Sequence, residues 1–312
     1  MRQPIRLLIV LAMLLPSCTA GSPTDTVAPP PHTTESDRFP VTVASGGTTL
    51  TLDAAPQRIV TLSPAANETI FAIGAGDRVV AADSLATFPA GSPADPDLLA
   101  YQPNVEAIVG AYEPDLVVMT FDPGDVVAGF EALGVPVLVQ FAPATLDDAY
   151  AQWEDLGALT GHLPEAVALI NRVQDRIGTA VAAAGDAGEG LTFYHELDST
   201  LFSVTSTTFV GAMYDRFGLV NVADEAGVDG YGYPQLSAEY LIDRAPDLIF
   251  VTDCCGTLAG SFAERPGWDT IPAVANGDIH VVSDDLASRW GPRIADFVDV
   301  IADAIGESTA TG

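Results

Sequence analysis

The chain contains no lysine, and its charge is strongly one-sided. All 12 basic residues are arginines, against 42 acidic residues, which gives the 312-residue chain a formal net charge of −30. An excess of this size argues against nucleic acid or an anionic membrane surface as a partner. It is also typical of a surface adapted to stay soluble in salt, so the charge by itself does not identify a ligand.

Histidine and cysteine are scarce, which restricts metal chemistry. The four histidines stand far apart along the chain, at positions 32, 162, 195 and 280. A metal site needs about three or four converging protein ligands, so we predict that the chain binds no metal ion directly. Cys254 and Cys255 are adjacent, and the sequence leaves open whether they form a strained vicinal disulfide or stay as free thiols.

The motifs of common enzymes are also missing. There is no Gly-x-Ser-x-Gly elbow, no His-Glu-x-x-His and no phosphate-binding loop. The glycines of residues 74–79 follow a helix and precede a strand, which is the reverse of a dinucleotide-binding turn. His195 and Glu196 could form a general acid–base pair, so an exported enzyme remains an alternative. The main prediction is that the chain has no catalytic residue and no cofactor.

The N-terminal segment is typical of an export signal. Arg2 and Arg6 precede an apolar run over residues 7–15, which is too short to cross a bilayer as a helix. The run ends in Leu-Pro-Ser-Cys, which resembles the bacterial lipobox, whose cysteine carries the lipid. We predict a lipoprotein signal peptide over residues 1–18, lipidation of Cys18, and a flexible tether rich in Pro, Thr and Ser over residues 19–37.

One pattern occurs twice in the rest of the chain. Residues 105–120 and 238–252 each begin with an amphipathic run, continue through Pro-Asp and end in an apolar, β-rich run. The first part has the period of a helix, the proline ends it, and the last part fits a buried parallel strand. An internal repeat of this kind indicates two similar lobes.

The segments around the repeats support the same architecture. Strand and helix patterns alternate, including a helix over residues 209–217, and such alternation is typical of parallel sheets covered on both faces. From Leu163-Pro164 a helical pattern continues without a breaker for about 20 residues, which would span about 30 Å. We predict an α/β fold of two lobes with parallel sheets, residues 38–163 and 186–312, joined by a single long helix over residues 164–185.

Candidate binding residues follow from the predicted strand ends, where ligands bind in open α/β sheets. In the first lobe they are Phe88, Tyr101 and Phe121. In the second lobe they are His195, Glu196, Tyr233, Asp285, Arg289 and Trp290. Aromatic rings beside a charged cluster suit a large, flat and partly polar ligand.

Several segments together resemble the bacterial solute-binding lipoproteins of ABC importers for ferric siderophores, cobalamin and haem. The resemblance covers residues 39–305. It is carried by both Pro-Asp-Leu repeats and by residues 39–43, 56–64 with Glu68, 74–80, 233–239 and 288–294. It implies a shallow ligand cleft between the lobes and one exposed glutamate on each lobe, Glu106 and Glu239, that docks to arginines of the permease. Charged rim contacts of this kind orient docking more than they add affinity.

Within that family, the segments around Tyr233 and over residues 285–293 look closest to the vitamin B12-binding members. Those members bracket the corrin with aromatic residues at places similar to Tyr101 and Tyr233. They also carry an Asp and an Arg near positions similar to Asp285 and Arg289. The chain departs from them because it has Tyr where they have Trp. Siderophore binders use their arginines to hold an anionic chelate, so the resemblance leaves both ligands open.

The sequence therefore predicts a lipid-anchored binding protein, exported to the outer face of the cell membrane. It would capture a metal chelate, a ferric siderophore or cobalamin, and deliver it to an ABC permease and its ATPase. The lipid on Cys18 would attach it to the membrane, and we expect it to act as a monomer without nucleic acid. The alternatives are a haem or free-metal binding protein of the same fold, the exported enzyme, and a surface adhesion module.

Overall fold

The computed structural model describes residues 38–226, 231–254 and 259–311. The strands are β1 (Val41–Ser45), β2 (Thr48–Leu52), β3 (Ile59–Leu62), β4 (Val79–Ala82), β5 (Leu116–Met119), β6 (Val137–Val139), β7 (Thr192–Glu196), β8 (Val220–Asn221), β9 (Leu248–Thr252) and β10 (Ile279–Val282). The helices are α1 (Pro64–Ala72), α2 (Val105–Tyr112), α3 (Val126–Ala132), α4 (Leu146–Thr160), α5 (Leu163–Ala184), α6 (Gly211–Asp215), α7 (Ala238–Arg244), α8 (Pro272–Asn276), α9 (Asp284–Ala287) and α10 (Ile294–Thr311).

Two four-stranded sheets organise the fold. The strand order is β4-β3-β5-β6 in the first sheet and β10-β9-β7-β8 in the second, and all neighbouring strands in both run parallel. The central strands β3, β5 and β9 are buried along their whole length and are apolar except for one threonine in β3 and one in β9, as expected for strands covered on both faces. The predicted α/β class is confirmed. We call the parts built on the first and second sheet the N-terminal and C-terminal lobes, and their boundaries remain a prediction.

The two copies of the repeat form the same structure in each lobe. Helix α2 begins after Asn104 and helix α7 after Ser237, and each of these side chains accepts a backbone N–H three residues further on. Such caps satisfy donors that the first helical turn leaves free. Both helices end at a non-glycine residue with positive φ, Glu113 at 43° and Ala245 at 46°. The proline that follows each of them prevents the helix from continuing.

The aspartate of each Pro-Asp pair fastens its strand to a neighbour. Asp115 accepts the backbone N–H groups of Gln57 and Arg58, just before β3, at 2.7 and 2.8 Å. Asp247 accepts the N–H and the hydroxyl of Thr192, the first residue of β7, at 2.9 and 2.7 Å. The repeated Pro-Asp therefore aligns equivalent strand pairs, β3 with β5 and β7 with β9.

A long helix and a shared apolar core connect the two sheets. Helix α5 has Pro164 in its first turn and Gly185 at its C-terminal cap, which is the usual asymmetry of these two residues. One cluster of buried apolar side chains extends from Ile59 in the first sheet, through α4 and α5, to Phe193 in the second sheet and to α10. Each lobe also has a smaller core of its own.

Helix α6 is shorter than the sequence pattern suggests. The helix expected over residues 209–217 is confined to Gly211–Asp215. The Thr208 hydroxyl accepts the Gly211 N–H at 3.0 Å, and the Thr208 N–H donates to the Thr205 carbonyl at 3.0 Å. The residues before Gly211 are thus held in a turn, which delays the start of the helix.

Within the described ranges, no helix combines the length and the apolar character that crossing a membrane requires. The predicted signal peptide, Cys18 and the tether lie outside those ranges.

Candidate functional site: a cleft between two parallel sheets

A cavity of about 400 Å³ lies between the two lobes. The N-terminal lobe contributes residues 142–144, which follow the carboxyl end of β6. The C-terminal lobe contributes the last residue of β9 and the segments that follow β7, β8 and β10. The lining side chains are Leu197, Val204, Thr207, Thr208, Phe209, Val210, Tyr231, Tyr233, Thr252, Asp284, Ala287, Ser288 and Trp290. This position, beyond the carboxyl ends of parallel strands, is the usual one for ligands in open α/β sheets.

Two of the residues singled out from the sequence, Tyr233 and Trp290, line this cavity. Tyr233 is 51% exposed, and partial burial raises the pKa of its phenol. Its loop is fixed on both sides, because the Pro234 carbonyl accepts the Ser203 N–H at 2.9 Å and the Gly232 carbonyl accepts the Thr205 N–H at 2.8 Å. Trp290 is held across the lobes, since its carbonyl accepts the indole N–H of Trp153 at 3.1 Å.

A charged cluster joins the lobes beside the cavity. Glu68, on α1, is only 3% exposed. Its two oxygens accept the Arg293 Nε–H at 3.0 Å and an Arg289 Nη–H at 3.3 Å. Arg289 also donates to the Leu85 carbonyl at 3.0 Å and pairs with Asp285. Asp285 and Arg289 thus belong to an interlobe cluster, and neither is among the residues that line the cavity.

Phe88 packs against this cluster. The Arg293 guanidinium lies 4.1 Å from the centroid of the Phe88 ring, a cation–π contact. The buried side chain of Asn67 donates to the Phe88 carbonyl at 2.9 Å and to the Ser92 hydroxyl at 3.0 Å, which holds the loop in place. Phe88 is 41% exposed, so part of the ring faces solvent next to the interlobe cluster.

Tyr101 and Phe121 are exposed on the N-terminal lobe, at 61% and 43%. Phe121 follows the end of β5, whereas Tyr101 lies in the loop before α2, far along the chain from the end of β4. Neither residue lines the cavity. The loop before Tyr101 is anchored by Asp83, which accepts the Leu85 N–H at 2.9 Å and the Ala100 N–H at 2.7 Å.

His195 and Glu196 lie in the interior rather than on the cleft, which corrects the sequence-based assignment. They are the last residues of β7 and are 0% exposed. The Nδ1 atom of His195 is 2.7 Å from the Tyr214 hydroxyl, and burial lowers the pKa of this histidine to about 4. Glu196 accepts two hydrogen bonds from Arg265 at 2.6 and 2.7 Å. Because β7 is a central strand, its last side chains point into packed core and not beyond the sheet.

Glu68 is the site residue that the strand-end criterion missed, because it lies on a helix. Arg293 belongs to the charged run of residues 284–293 that follows a predicted strand, but the sequence does not indicate that it pairs with Glu68. Their pairing joins residues 225 positions apart, which no local pattern reveals. The only sequence signal was their presence in two of the segments that carry the family resemblance.

The glutamates predicted to dock occupy equivalent places in the two lobes. Glu106 and Glu239 are each the second residue of their helix, α2 and α7, and both are exposed. A carboxylate in the first turn is also favoured by the helix dipole. Their docking role stays a prediction.

The described residues include one cysteine, Cys254, and the acidic and histidine side chains that could bind a metal ion. Cys254 is disulfide-bonded, and the other two cysteines of the chain lie outside the described ranges. Within the residues that the structure describes, no three His, Cys, Asp or Glu side chains are grouped so that they could hold a metal ion.

Comparison with known proteins identifies a family and a set of relatives. The family model described as "Periplasmic binding protein" matches residues 59–286. A cobalamin-binding protein of Halobacterium salinarum is 27% identical over 318 residues, which cover 96% of this chain and 84% of the relative. An uncharacterized ABC transporter substrate-binding lipoprotein of Bacillus subtilis is 26% identical over 311 residues, with 97% and 96% coverage.

Solved structures share the fold. A periplasmic heme-binding protein from Roseiflexus sp. RS-1, in its apo form, superposes with a TM-score of 0.71. The match covers 81% of this chain and 98% of that protein at 24% sequence identity, and it shows the fold alone.

Proposed function

The chain belongs to the periplasmic binding protein family, and we propose that it is the substrate-binding component of an ABC importer for a metal chelate. The observation that carries the proposal is the cavity of about 400 Å³ beyond the strand ends of both lobes, with Tyr233 and Trp290 in its wall. Aromatic walls with a few polar groups suit reversible capture of a large, flat ligand. The family is one of binding proteins, and the proposal is accordingly binding without catalysis.

Within this class we propose a corrinoid as the ligand. A relative that matches almost the whole chain is named a cobalamin-binding protein, and a second one, named an uncharacterized ABC transporter substrate-binding lipoprotein, supports the transport role alone. The described side chains that line the cavity are aromatic, aliphatic and hydroxyl-bearing, with Asp284 as their single charge. Hydroxyl groups can hydrogen-bond the amides at the rim of a corrin, and the aromatic rings can cover its faces.

The electrostatics of the cleft disfavour an anionic siderophore. Arg289 and Arg293 lie within a few residues of Ser288 and Trp290, which line the cavity. Both arginines form ion pairs with Glu68. Asp284, in the cavity wall, is partly buried, and burial together with the adjacent Asp285 raises the pKa of its carboxyl. A tris-catecholate chelate, which is a trianion, would meet the carboxyl group of Asp284 here rather than free guanidinium groups.

Delivery to the permease is proposed to use Glu106 and Glu239. They stand at matching positions of a repeated structure, one on each lobe, and both are exposed. Two equivalent acidic contacts, one on each lobe, would suit a permease with two arginine-bearing surfaces. Lipidation of Cys18 and attachment to the outer face of the membrane complete the proposal.

The first experiment titrates the purified full-length protein, in mild detergent, with cyanocobalamin, ferric siderophores and haem, and follows tryptophan fluorescence. Trp290 lines the cavity, so a bound corrin should quench it in a saturable way. Saturation by cyanocobalamin alone supports the proposal. Saturation by a siderophore instead would replace the corrinoid, and no saturation by any chelate would reject the binding function.

The docking proposal is tested by the double change Glu106→Ala and Glu239→Ala. Uptake of labelled cobalamin by cells should be lost, while the affinity of the purified protein for cobalamin stays as in wild type. Glu131→Ala, which also removes an exposed carboxylate of the N-terminal lobe, serves as the control and should leave uptake intact. Normal uptake in the double variant would contradict the docking role.

Haem is the second candidate, because two tyrosines line the cavity. Tyr231 and Tyr233 both line it, and a tyrosinate can serve as an axial ligand of haem iron. In the same titration, a shifted Soret band that disappears in Tyr233→Phe would favour haem over a corrinoid.

A further inference from the structure

We infer that Glu68 sets the charge class of the ligand, because it neutralises the two arginines that would otherwise offer positive charge to the cleft. The inference rests on the proposed function, since it concerns which chelates the same cleft accepts. Glu68 belongs to the N-terminal lobe, whereas both arginines follow β10 in the C-terminal lobe.

The contacts of Glu68 use both of its oxygens. One oxygen accepts the Arg293 Nε–H at 3.0 Å, and the other accepts an Arg289 Nη–H at 3.3 Å and the second Arg293 donor. The backbone between the arginines approaches closely, since a Cβ atom at Gly291 would lie 3.0 Å from a Glu68 oxygen. Glu68 also raises the pKa of the Arg293 guanidinium. A nearly buried carboxylate is stable in such a place only when it is paired.

The charges of the cluster balance. Arg289 has a second carboxylate partner in Asp285, and Arg293 lies 4.0 Å from the same side chain. Two guanidinium groups therefore face two carboxylates. Arg289 does not itself line the cavity, but it stands between Ser288 and Trp290, which do, so positive charge released from it would act close to the cavity wall.

Recognition of an anionic chelate needs guanidinium groups whose donors are free to meet it. Here the donors of Arg289 are engaged by Glu68, Asp285 and the Leu85 carbonyl. The cluster thus favours neutral or cationic chelates. Removal of the Glu68 charge with its shape retained should shift the preference towards anions.

The test compares Glu68→Gln with wild type, as full-length protein in detergent, for binding of cyanocobalamin and of a ferric tris-catecholate complex. We expect the ratio of catecholate affinity to corrinoid affinity to rise about tenfold or more, since a trianion gains Coulomb energy from one added net positive charge nearby. The new catecholate binding should weaken steeply as sodium chloride increases. A merely structural role of Glu68 would not produce that salt dependence.

Two further variants keep the test decisive. Asp285→Asn removes the other carboxylate from Arg289 and should shift the ratio in the same direction, even if Glu68→Gln fails to fold. Glu165→Gln makes the same charge change at an exposed position of α5 and should leave the ratio unchanged. If wild type binds cyanocobalamin but neither site variant gains catecholate affinity, the inference fails and the proposed function stands. If wild type binds no corrinoid, the corrinoid assignment itself fails.

Discussion

Tyr233 combines a half-exposed ring with a backbone that is fixed on both sides. If this ring covers one face of a corrin, Tyr233→Ala should weaken cobalamin binding about tenfold, the upper range for one aromatic contact. Tyr233→Phe keeps the ring and should retain most of the affinity. Isothermal titration of the two variants measures the difference. Equal losses in both would mean that the hydroxyl, and not the ring, makes the contact.

His195 should make the stability of the protein sensitive to acid. Burial lowers the pKa of His195 to about 4, against 6.5 for an unperturbed histidine. Between these values the unfolded chain binds a proton that the folded chain does not, so the free energy of unfolding falls as pH drops through this window. The full effect, reached near pH 4, is about 3 kcal/mol.

Urea unfolding of wild type and His195→Gln at pH 7.5 and pH 4.5 measures this effect. The glutamine does not titrate, and its amide can still bond the Tyr214 hydroxyl. Wild type should lose more stability than the variant between the two pH values. Parallel losses in both proteins would show that other groups account for the acid sensitivity.

At this scale, the sequence indicated the type of several site residues better than their partners. Tyr233 and Trp290 line the cavity as strand-end aromatics should. Arg289, the arginine expected to hold a ligand, is paired with Glu68. His195 and Glu196, expected just beyond a strand end, are instead the last buried residues of β7 itself. Whether a strand residue points beyond the sheet or into the core depends on where pairing stops, and a sequence pattern locates that point only within a few residues.

At the scale of secondary-structure elements, the two copies of the helix–Pro-Asp–strand unit can be compared for what each aspartate contributes to stability. Asp115 and Asp247 each accept two hydrogen bonds at the start of a neighbouring strand. Asp115→Ala and Asp247→Ala should each lower the free energy of unfolding by about 1–2 kcal/mol. Because the two sites lie in different sheets, the losses should add in the double variant.

Urea unfolding of the two single variants and the double variant tests this expectation. Asp243→Ala, which removes an exposed carboxylate from α7, is the control and should change little. A double variant that loses much more than the sum would mean that the two sheets are coupled through these strand starts.

Most elements could be predicted because their signals are local. The capped helices, the prolines that end or begin them and the apolar runs of β3, β5 and β9 are all short-range features. The two-residue β8 was not predictable, because it exists only through its pairing with β7. The pairing of Glu68 with Arg293 belongs to the same class, since it arises only when the lobes come together. The late start of α6 was missed for a different reason, since the turn that Thr208 forms just before Gly211 competes with a helical pattern that would otherwise begin earlier.

For the whole molecule, a net charge of −30 should oppose compactness through self-repulsion. Sodium chloride screens repulsion between charges that are separated by more than the Debye length, which is about 10 Å at 0.1 M and about 3 Å at 1 M. The unfolding temperature should therefore rise between these concentrations, as measured by circular dichroism. Sucrose of matched osmolality is the control for solvent exclusion, and an equal rise in sucrose would argue against screening.

The apolar cluster that extends from Ile59 through α4 and α5 to Phe193 and α10 bears on how the protein can move and melt. Because the two lobes share one packed apolar core, a large hinge opening between them would expose that core to water. We therefore expect ligand exchange to require only small displacements of the lobes near the cleft. For the same reason we expect the two lobes to unfold together and not independently. Differential scanning calorimetry should then record one unfolding peak, not two.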